Sequence, residues 1–114
     1  MDTKPFRSLN TLYFGAGAQN RKEEILRDVR RQKTMSGIYL ITFASNGIDQ
    51  LDIVPLAMLH SKKAPERLPA IVGICLGRQE AFETVERIAA DAYRETGSCD
   101  LKEYLLQLDR EGSG

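Results

Sequence analysis

The sequence predicts a single α/β domain: a small sheet of three or four strands, largely parallel or mixed, with helices packed against it. Two nearly continuous apolar runs, residues 38–44 and 70–76, are rich in β-branched residues and have the length of buried strands. In residues 81–93 the apolar residues instead recur every three or four positions, as in an amphipathic helix. The predicted order is strand, helix, strand, an optional strand, strand, helix, helix, which is typical of α/β proteins.

Size and composition predict one folded domain over residues 1–114. The chain has the common length of a domain, and its 42% apolar and 28% charged residues are ordinary globular usage. Its 16 basic and 16 acidic side chains cancel, which argues against a dedicated nucleic-acid or membrane-surface protein. Residues 1–34 carry eight basic and four acidic groups. They form either a peripheral basic segment or part of a core otherwise built from residues 35–110.

The first predicted elements are a short strand and a basic helix. Residues 11–14 form a β-prone run that stops at a glycine-rich turn. Residues 20–33 contain mostly helix formers, with Ile25, Leu26 and Val29 on one side. Because this apolar stripe is thin, we expect limited burial in a monomer, so that a partner or a second copy can cover it.

A hairpin follows the first buried strand. Asn46-Gly47 is the commonest pair for a tight hairpin turn, so residues 51–54 are predicted to be the returning strand. Pro55 ends that strand or restricts it to a sheet edge. Residues 56–69 begin with one predicted helical turn and continue as a surface loop with two prolines.

Two helices complete the chain. The long helix ends at Gly97, its predicted C-cap, and the final helix begins at Asp100, which forms a capping box with Glu103. The residues of the long helix expected to pack on the two buried strands are Phe82, Val85, Ile88 and Ala92. The apolar stripe of the final helix is Leu101, Tyr104, Leu105 and Leu108.

A phosphate or nucleotide site is one functional hypothesis. Gly15 and Gly17 lie between a strand and a helix, where backbone amides can approach an anion, and Arg78 stands at a second such junction. If the three strands are parallel, these residues and Asn46 meet at the carboxyl ends of the strands, where open α/β sheets bind ligands. The turn lacks the full dinucleotide fingerprint, so a plain strand-to-helix turn is the alternative.

No set of residues indicates a named reaction, a metal or a cofactor. His60 is the only histidine and has no carboxylate nearby in sequence. Cys75 is predicted to be buried in a strand and Cys99 to be the more accessible thiol, both reduced. The chain has no secretory signal and no apolar run near the ~20 residues of a membrane span, so we expect a cytoplasmic protein.

The favoured function is a small non-enzymatic interaction or regulatory module that self-associates or binds a protein partner. The basic helix is expected to dock on the acidic helix of another copy, because opposite charges can orient the contact. The basic residues of this predicted interface are Arg27, Arg30 and Arg31. The acidic residues are Glu83, Glu86 and Asp91.

One set of positions in the last two-thirds of the chain forms a pattern of its own: Ile71-Val72-Gly73-Ile74, Gly77, Glu80-Ala81, Val85, Ile88, Tyr93, Thr96-Gly97, Asp100 and Tyr104-Leu105. At these positions the chain from Ile38 onward resembles a group of short uncharacterised proteins of clostridial-type bacteria. The resemblance implies no activity, and residues 1–34 fall outside it.

Overall fold

The computed structural model describes residues 8–30, 37–44, 50–60 and 70–113, which form one mixed sheet with helices on both faces. The predicted α/β class is confirmed. The strands are β1 (Ser8–Phe14), β2 (Ile38–Phe43), β3 (Leu51–Pro55) and β4 (Ile71–Leu76). The helices are α1 (Ala16–Asn20), α2 (Lys22–Arg30), α3 (Arg78–Thr96) and α4 (Leu101–Ser113), and a 3₁₀ helix covers Leu56–His60.

The strand order across the sheet is β1-β4-β2-β3. β4 is parallel to β1 and antiparallel to β2, and β3 is antiparallel to β2. The two apolar runs are therefore neighbouring central strands, as predicted. β3 lies at a sheet edge and ends at Pro55, also as predicted, whereas the Asn46-Gly47 turn lies outside the described residues.

A β-bulge at Val72 changes the alternation of side chains along β4. Ile41 pairs with Gly73 and Thr42 pairs with Ile71, so Val72 is an extra residue on its strand. Residues three positions apart therefore share a face across the bulge. Val72 and Cys75 both pack with α3 and α4, whereas Ile71 and Ile74 both pack with the helices on the opposite face.

Each face of the sheet has its own apolar core. The core beneath α3 and α4 is the larger, and its fully buried members include Ile41, Val72, Cys75, Ile88 and Leu105. The core on the other face lies beneath α1, α2 and the 3₁₀ helix, and its members include Phe14, Ala18, Ile25, Leu40, Leu56 and Ile74. Burial of apolar surface on both faces is the main stabilisation of such a three-layer arrangement.

The N-terminal segment contributes directly to the sheet and its core. β1 is paired with β4, and Ile25 of α2 is 0% exposed and Leu26 packs against the same core. Two of the three residues of the apolar stripe, Ile25 and Leu26, are therefore covered within the chain, contrary to the limited burial expected of them. The side chain of Val29 lies outside the described residues. The helix predicted over residues 20–33 also starts earlier, as α1, and is interrupted at Arg21.

The packing of α3 agrees with the prediction at three of four positions. Ile88 and Ala92 are fully buried and Val85 packs against the same core. The prediction for Phe82 is wrong, because its side chain is 46% exposed.

Both predicted helix caps between α3 and α4 are present. Gly97 has a positive φ of 71°, and its N–H donates to the Tyr93 carbonyl at 2.8 Å. Asp100 accepts the Glu103 N–H at 3.1 Å, as an N-cap does. The Glu103 carboxylate does not complete the predicted box but lies 3.4 Å from Arg110.

Replacing Ile88 with Ala should lower the free energy of unfolding by about 2–5 kcal/mol, because it leaves a cavity in the core beneath α3. The matched control is Phe82→Ala on the same helix, which should cost less than about 1 kcal/mol because the ring is half exposed. Urea unfolding monitored by circular dichroism measures both values. Equal losses for the two variants would mean that α3 is rotated relative to the sheet.

Candidate functional site

The residues predicted to bind a ligand do not converge as expected. Gly15 and Gly17 follow β1, Arg78 follows β4, and these two strands are parallel, so their carboxyl ends share one end of the sheet. β2 runs in the opposite direction, and its carboxyl end at Phe43 is therefore at the other end. The premise of three parallel strands is wrong, and Asn46 lies outside the described residues.

A carboxylate of the chain itself occupies the glycine-rich turn. Glu80 Oε1 accepts the Gly17 N–H at 2.7 Å. Its Oε2 accepts the Ala18 N–H at 3.2 Å and the Leu76 N–H at 2.7 Å. Hydrogen bonds to an ionised acceptor are stronger than neutral ones, so this side chain joins the start of α1 to the end of β4. Of the two glycine amides predicted to approach an external anion, that of Gly17 donates to this internal carboxylate, and that of Gly15 donates to the Ile74 carbonyl at 3.0 Å.

Gly15 is needed because Glu80 lies directly against its backbone. A methyl group on Gly15 would overlap the Glu80 carboxylate, and one on Gly17 would be 2.9 Å from the Glu80 Oε1 atom. The backbone of Gly15 has φ −64° and ψ 161°, which any residue can adopt. The requirement for glycine at position 15 is therefore steric and depends on Glu80.

The sequence contains a local signal for this interaction. Glu80 is the third residue of α3, and Gly77 is its N-cap. An acidic residue in this position commonly turns back to bond the amides that precede a helix. The distant partners Gly17 and Ala18 depend on the parallel pairing of β1 with β4, which the local pattern does not specify.

Arg78 is directed to an aromatic ring. Its guanidinium lies 5.6 Å from the centroid of the Phe82 ring, and its side chain is exposed. A cation–π contact at an exposed site stabilises by about 0.5–1 kcal/mol.

A second polar cluster, which the sequence patterns did not reveal, joins β1 to α3 and α4. The Tyr13 hydroxyl donates to Asp91 Oδ2 at 2.8 Å and lies 2.8 Å from the Tyr104 hydroxyl. The pKa of Tyr13 is raised far above its usual value, first by burial and then by these two hydrogen bonds. Tyr13 is therefore a neutral donor and holds the helices to the edge strand.

The predicted charged interface is partly engaged within the chain. Asp91 binds Tyr13 and also pairs with Arg94 at 2.9 Å, so it belongs to the internal polar cluster. Glu83 and Glu86 are exposed, as predicted, and so is Arg27. The side chain of Arg30 and the whole of Arg31 lie outside the described residues. Because α2 and α3 pack on opposite faces of the sheet, the two charged helices face away from each other.

One flank of α3 presents exposed aromatic residues. Phe82 and Tyr93 are 46% and 62% exposed, and they lie on one side of the helix because eleven residues make about three turns. Phe82 and Asp91 are nine residues apart, or about two and a half turns, so they point to opposite sides. Since Asp91 faces β1, the aromatic flank faces the β3 side of the sheet.

The edge strand continues this aromatic flank. Leu51 and Ile53 of β3 are partly exposed and belong to the same apolar core as Val85 and Ala89 of α3. We define the α3–β3 surface as Phe82, Tyr93, Leu51 and Ile53. It combines exposed aromatic side chains with the backbone of an edge strand, a combination suited to contact with another chain.

The predicted burial of Cys75 and the predicted exposure of Cys99 are both confirmed. Cys75 is fully buried, lies 3.4 Å from the Thr84 hydroxyl, and has a pKa raised mainly by that burial. Cys99 is exposed. A buried thiol with a raised pKa carries little thiolate and is a poor nucleophile.

A polar depression of about 320 Å³ lies between the end of α3 and α4. Its lining contains two carboxylates, each already 3.5 Å or less from a neighbouring side chain: Glu95 near Arg94, and Glu111 near Gln107. Within the described part of the chain, no three His, Cys, Asp or Glu side chains are placed to hold a metal ion.

No protein-family model, curated protein or solved structure matches the chain. Over the residues that the structure describes, no helix is long and apolar enough to cross a membrane. The conclusions about function therefore depend on the geometry of the chain itself.

Gly15→Ala should destabilise the protein by about 2–4 kcal/mol, because the new methyl group displaces Glu80 from its charge-assisted hydrogen bonds. Glu80→Ala should have a loss of similar size. In the double variant Gly15→Ala with Glu80→Ala, the methyl group on residue 15 meets no carboxylate. This double variant should therefore be no less stable than Glu80→Ala alone.

A double-mutant cycle by urea unfolding measures this coupling, with Glu83→Ala as the control on the exposed face of the same helix. The steric explanation fails if Gly15→Ala costs the same with and without Glu80.

Proposed function

We propose that the chain is a non-enzymatic interaction module that self-associates through the α3–β3 surface. The observation that carries the proposal is the pair of large aromatic side chains, Phe82 and Tyr93, left 46% and 62% exposed on one flank of α3. Aromatic residues are enriched at protein interfaces because they bury a large area at low entropic cost. Their position beside an edge strand supports contact with a second chain.

The composition of the chain also supports association between copies. Its formal net charge is zero, so two copies approach without long-range repulsion. Within each copy Arg78 and Glu86 both lie one turn from Phe82, which places opposite charges beside the exposed ring.

The contact between a basic and an acidic helix has less support. Ile25 and Leu26 of α2 pack within the chain, so the described side chains of this helix offer mainly exposed charges, which contribute only about 0–1 kcal/mol per pair. A contact between α2 of one copy and α3 of the next also joins opposite faces of the molecule. Such a head-to-tail contact produces a ring or an open chain of copies and not a two-fold dimer.

The alternative function, a phosphate- or nucleotide-binding domain, requires an anion to replace Glu80. Of the two glycines named in that hypothesis, Gly17 already donates its N–H to this carboxylate and Gly15 donates its N–H to the Ile74 carbonyl. Arg78, the predicted cationic group, lies over the Phe82 ring. These contacts favour the interaction module.

Phe82→Glu and Tyr93→Glu should each weaken self-association at least roughly tenfold, because each places a charge in an interface that buries aromatic area. Sedimentation velocity over a concentration series measures the effect. The control is Gln19→Glu, which makes the same charge change at an exposed position of α1 on the opposite face.

The wild-type mass should rise with concentration, and the Gln19→Glu variant should behave in the same way. A wild-type chain that stays monomeric at all concentrations would contradict the proposal. So would a dimer that neither glutamate weakens.

A further inference from the structure

We infer that two copies join edge to edge, with β3 of one copy antiparallel to β3 of the other about a two-fold axis at Ile53. The two sheets, of four strands each, then form one continuous sheet of eight. This inference rests on the proposed self-association and specifies its partner and geometry.

The backbone of β3 has hydrogen-bonding groups directed away from its sheet. The Ala44 N–H donates to the Gln50 carbonyl at 3.0 Å, which fixes the alternation along the antiparallel pair. Asp52 and Val54 therefore also bond to β2, whereas Leu51, Ile53 and Pro55 direct their main-chain groups outward. Among the described residues, no strand lies on that outer side.

The outward groups of β3 are complementary to those of a second β3. With the axis at Ile53, the two Ile53 residues exchange two hydrogen bonds, and each Leu51 N–H donates to the Pro55 carbonyl of the other copy. This pairing has about four hydrogen bonds. Pro55 has no N–H to donate, so the Leu51 carbonyl opposite it accepts no hydrogen bond from the other strand.

Neighbouring registers are less favourable. An axis at Val54 opposes Ile53 to Pro55 and leaves about two hydrogen bonds, because the proline has no donor. An axis at Asp52 places the two Asp52 carboxylates directly opposite each other, which destabilises a strand pair. With the axis at Ile53, Asp52 is opposite Val54. The residues of β3 therefore select one register for a second copy of the same strand.

The charges on α3 have the same two-fold complementarity. Ile53 pairs with Ile41, and Ile41 pairs with Gly73 of β4, so Ile53 and Gly73 lie at the same level of the sheet. Gly73 is roughly 10 Å from the end of β4. Phe82 lies roughly 6 Å along α3 from the start of that helix, which directly follows the end of β4. Its ring is therefore at a level of the sheet similar to that of Ile53. Arg78 and Glu86 are one turn to either side of it. A two-fold axis at this height brings Arg78 of one copy towards Glu86 of the other.

Amide hydrogen exchange of the wild-type chain tests the pairing residue by residue. The alternation along β3 directs the Leu51 and Ile53 amides to the outer side of the sheet, where no described strand lies, and the Asp52 and Val54 amides to β2. On raising the concentration through the association range, protection of Leu51 and Ile53 should increase at least roughly tenfold. Protection of Asp52 and Val54 provides the internal control. If the chain dimerises while Ile53 stays unprotected, the edge pairing is overturned and the proposed self-association stands.

Ile53→Pro gives a second, independent test. It removes an N–H that β2 does not use, so the fold should persist while the dimer weakens at least roughly tenfold. Ile53→Val keeps both the N–H and the β-branched side chain and should associate as the wild type does.

Sedimentation velocity compares these two variants, with circular dichroism to show that both fold. A folded Ile53→Pro variant with wild-type affinity overturns the edge pairing. A wild-type chain that is monomeric throughout the series overturns both the pairing and the proposed self-association. If Ile53→Pro does not fold, the exchange pattern of the wild type decides.

Discussion

The carboxylate of Glu80 is the interaction on which the arrangement of β1, β4 and α3 depends. It lies in the first turn of α3 and accepts N–H groups from Gly17, Ala18 and Leu76. In doing so it satisfies amides at the start of a short helix, which would otherwise need water or a ligand. It also requires Gly15, because no side chain fits between the carboxylate and that backbone. The end of the sheet where many α/β proteins bind ligands is therefore occupied by the protein itself.

The two edges of the sheet differ in how well they are covered. Near β1, the hydrogen bonds between Tyr13, Asp91 and Tyr104 hold both C-terminal helices against the edge strand. Near β3, α3 contributes only its flank, and Phe82 and Tyr93 are left exposed there. Among the described residues, α4 packs mainly on β1, and only its start approaches β3, where the Leu101 N–H donates to Gln50. The proposed surface for association lies on this less covered side.

Much of the fold could be predicted from local patterns. The two β-branched runs became the central strands because burial on both faces requires nearly continuous apolar residues. Gly97 and Asp100 ended and started helices because their caps depend on neighbouring residues alone. The direction of β2 and the bulge at Val72 could not be predicted, since both depend on pairing between distant residues. Phe82 was assigned to the buried face because it lies close to the apolar stripe. A rotation of α3 about its own axis by less than the angle between successive residues decides which side of the stripe is covered.

The candidate site was less predictable than the fold. The glycine-rich turn was predicted either to bring amides to an external anion or to be a plain strand-to-helix turn, whereas the structure places Glu80, 63 residues away, on the Gly17 amide. The exposed charges of α2 and α3 were visible in the sequence, whereas their placement on opposite faces was not. The hydrogen-bonding pattern of the β3 edge requires the register with β2, which follows from the structure.

The central claim is that two copies meet through their β3 edges in a single register. The most direct measurement is an isotope-filtered nuclear Overhauser experiment on a mixture of labelled and unlabelled chains, which detects only contacts between copies. An axis at Ile53 makes Asp52 of one copy and Val54 of the other a non-hydrogen-bonded pair, whose Cα atoms are about 4.5 Å apart. The account predicts a strong contact between the α-protons of these two residues. Contacts between copies that involve only α2 or α4, with none from β3, would contradict it.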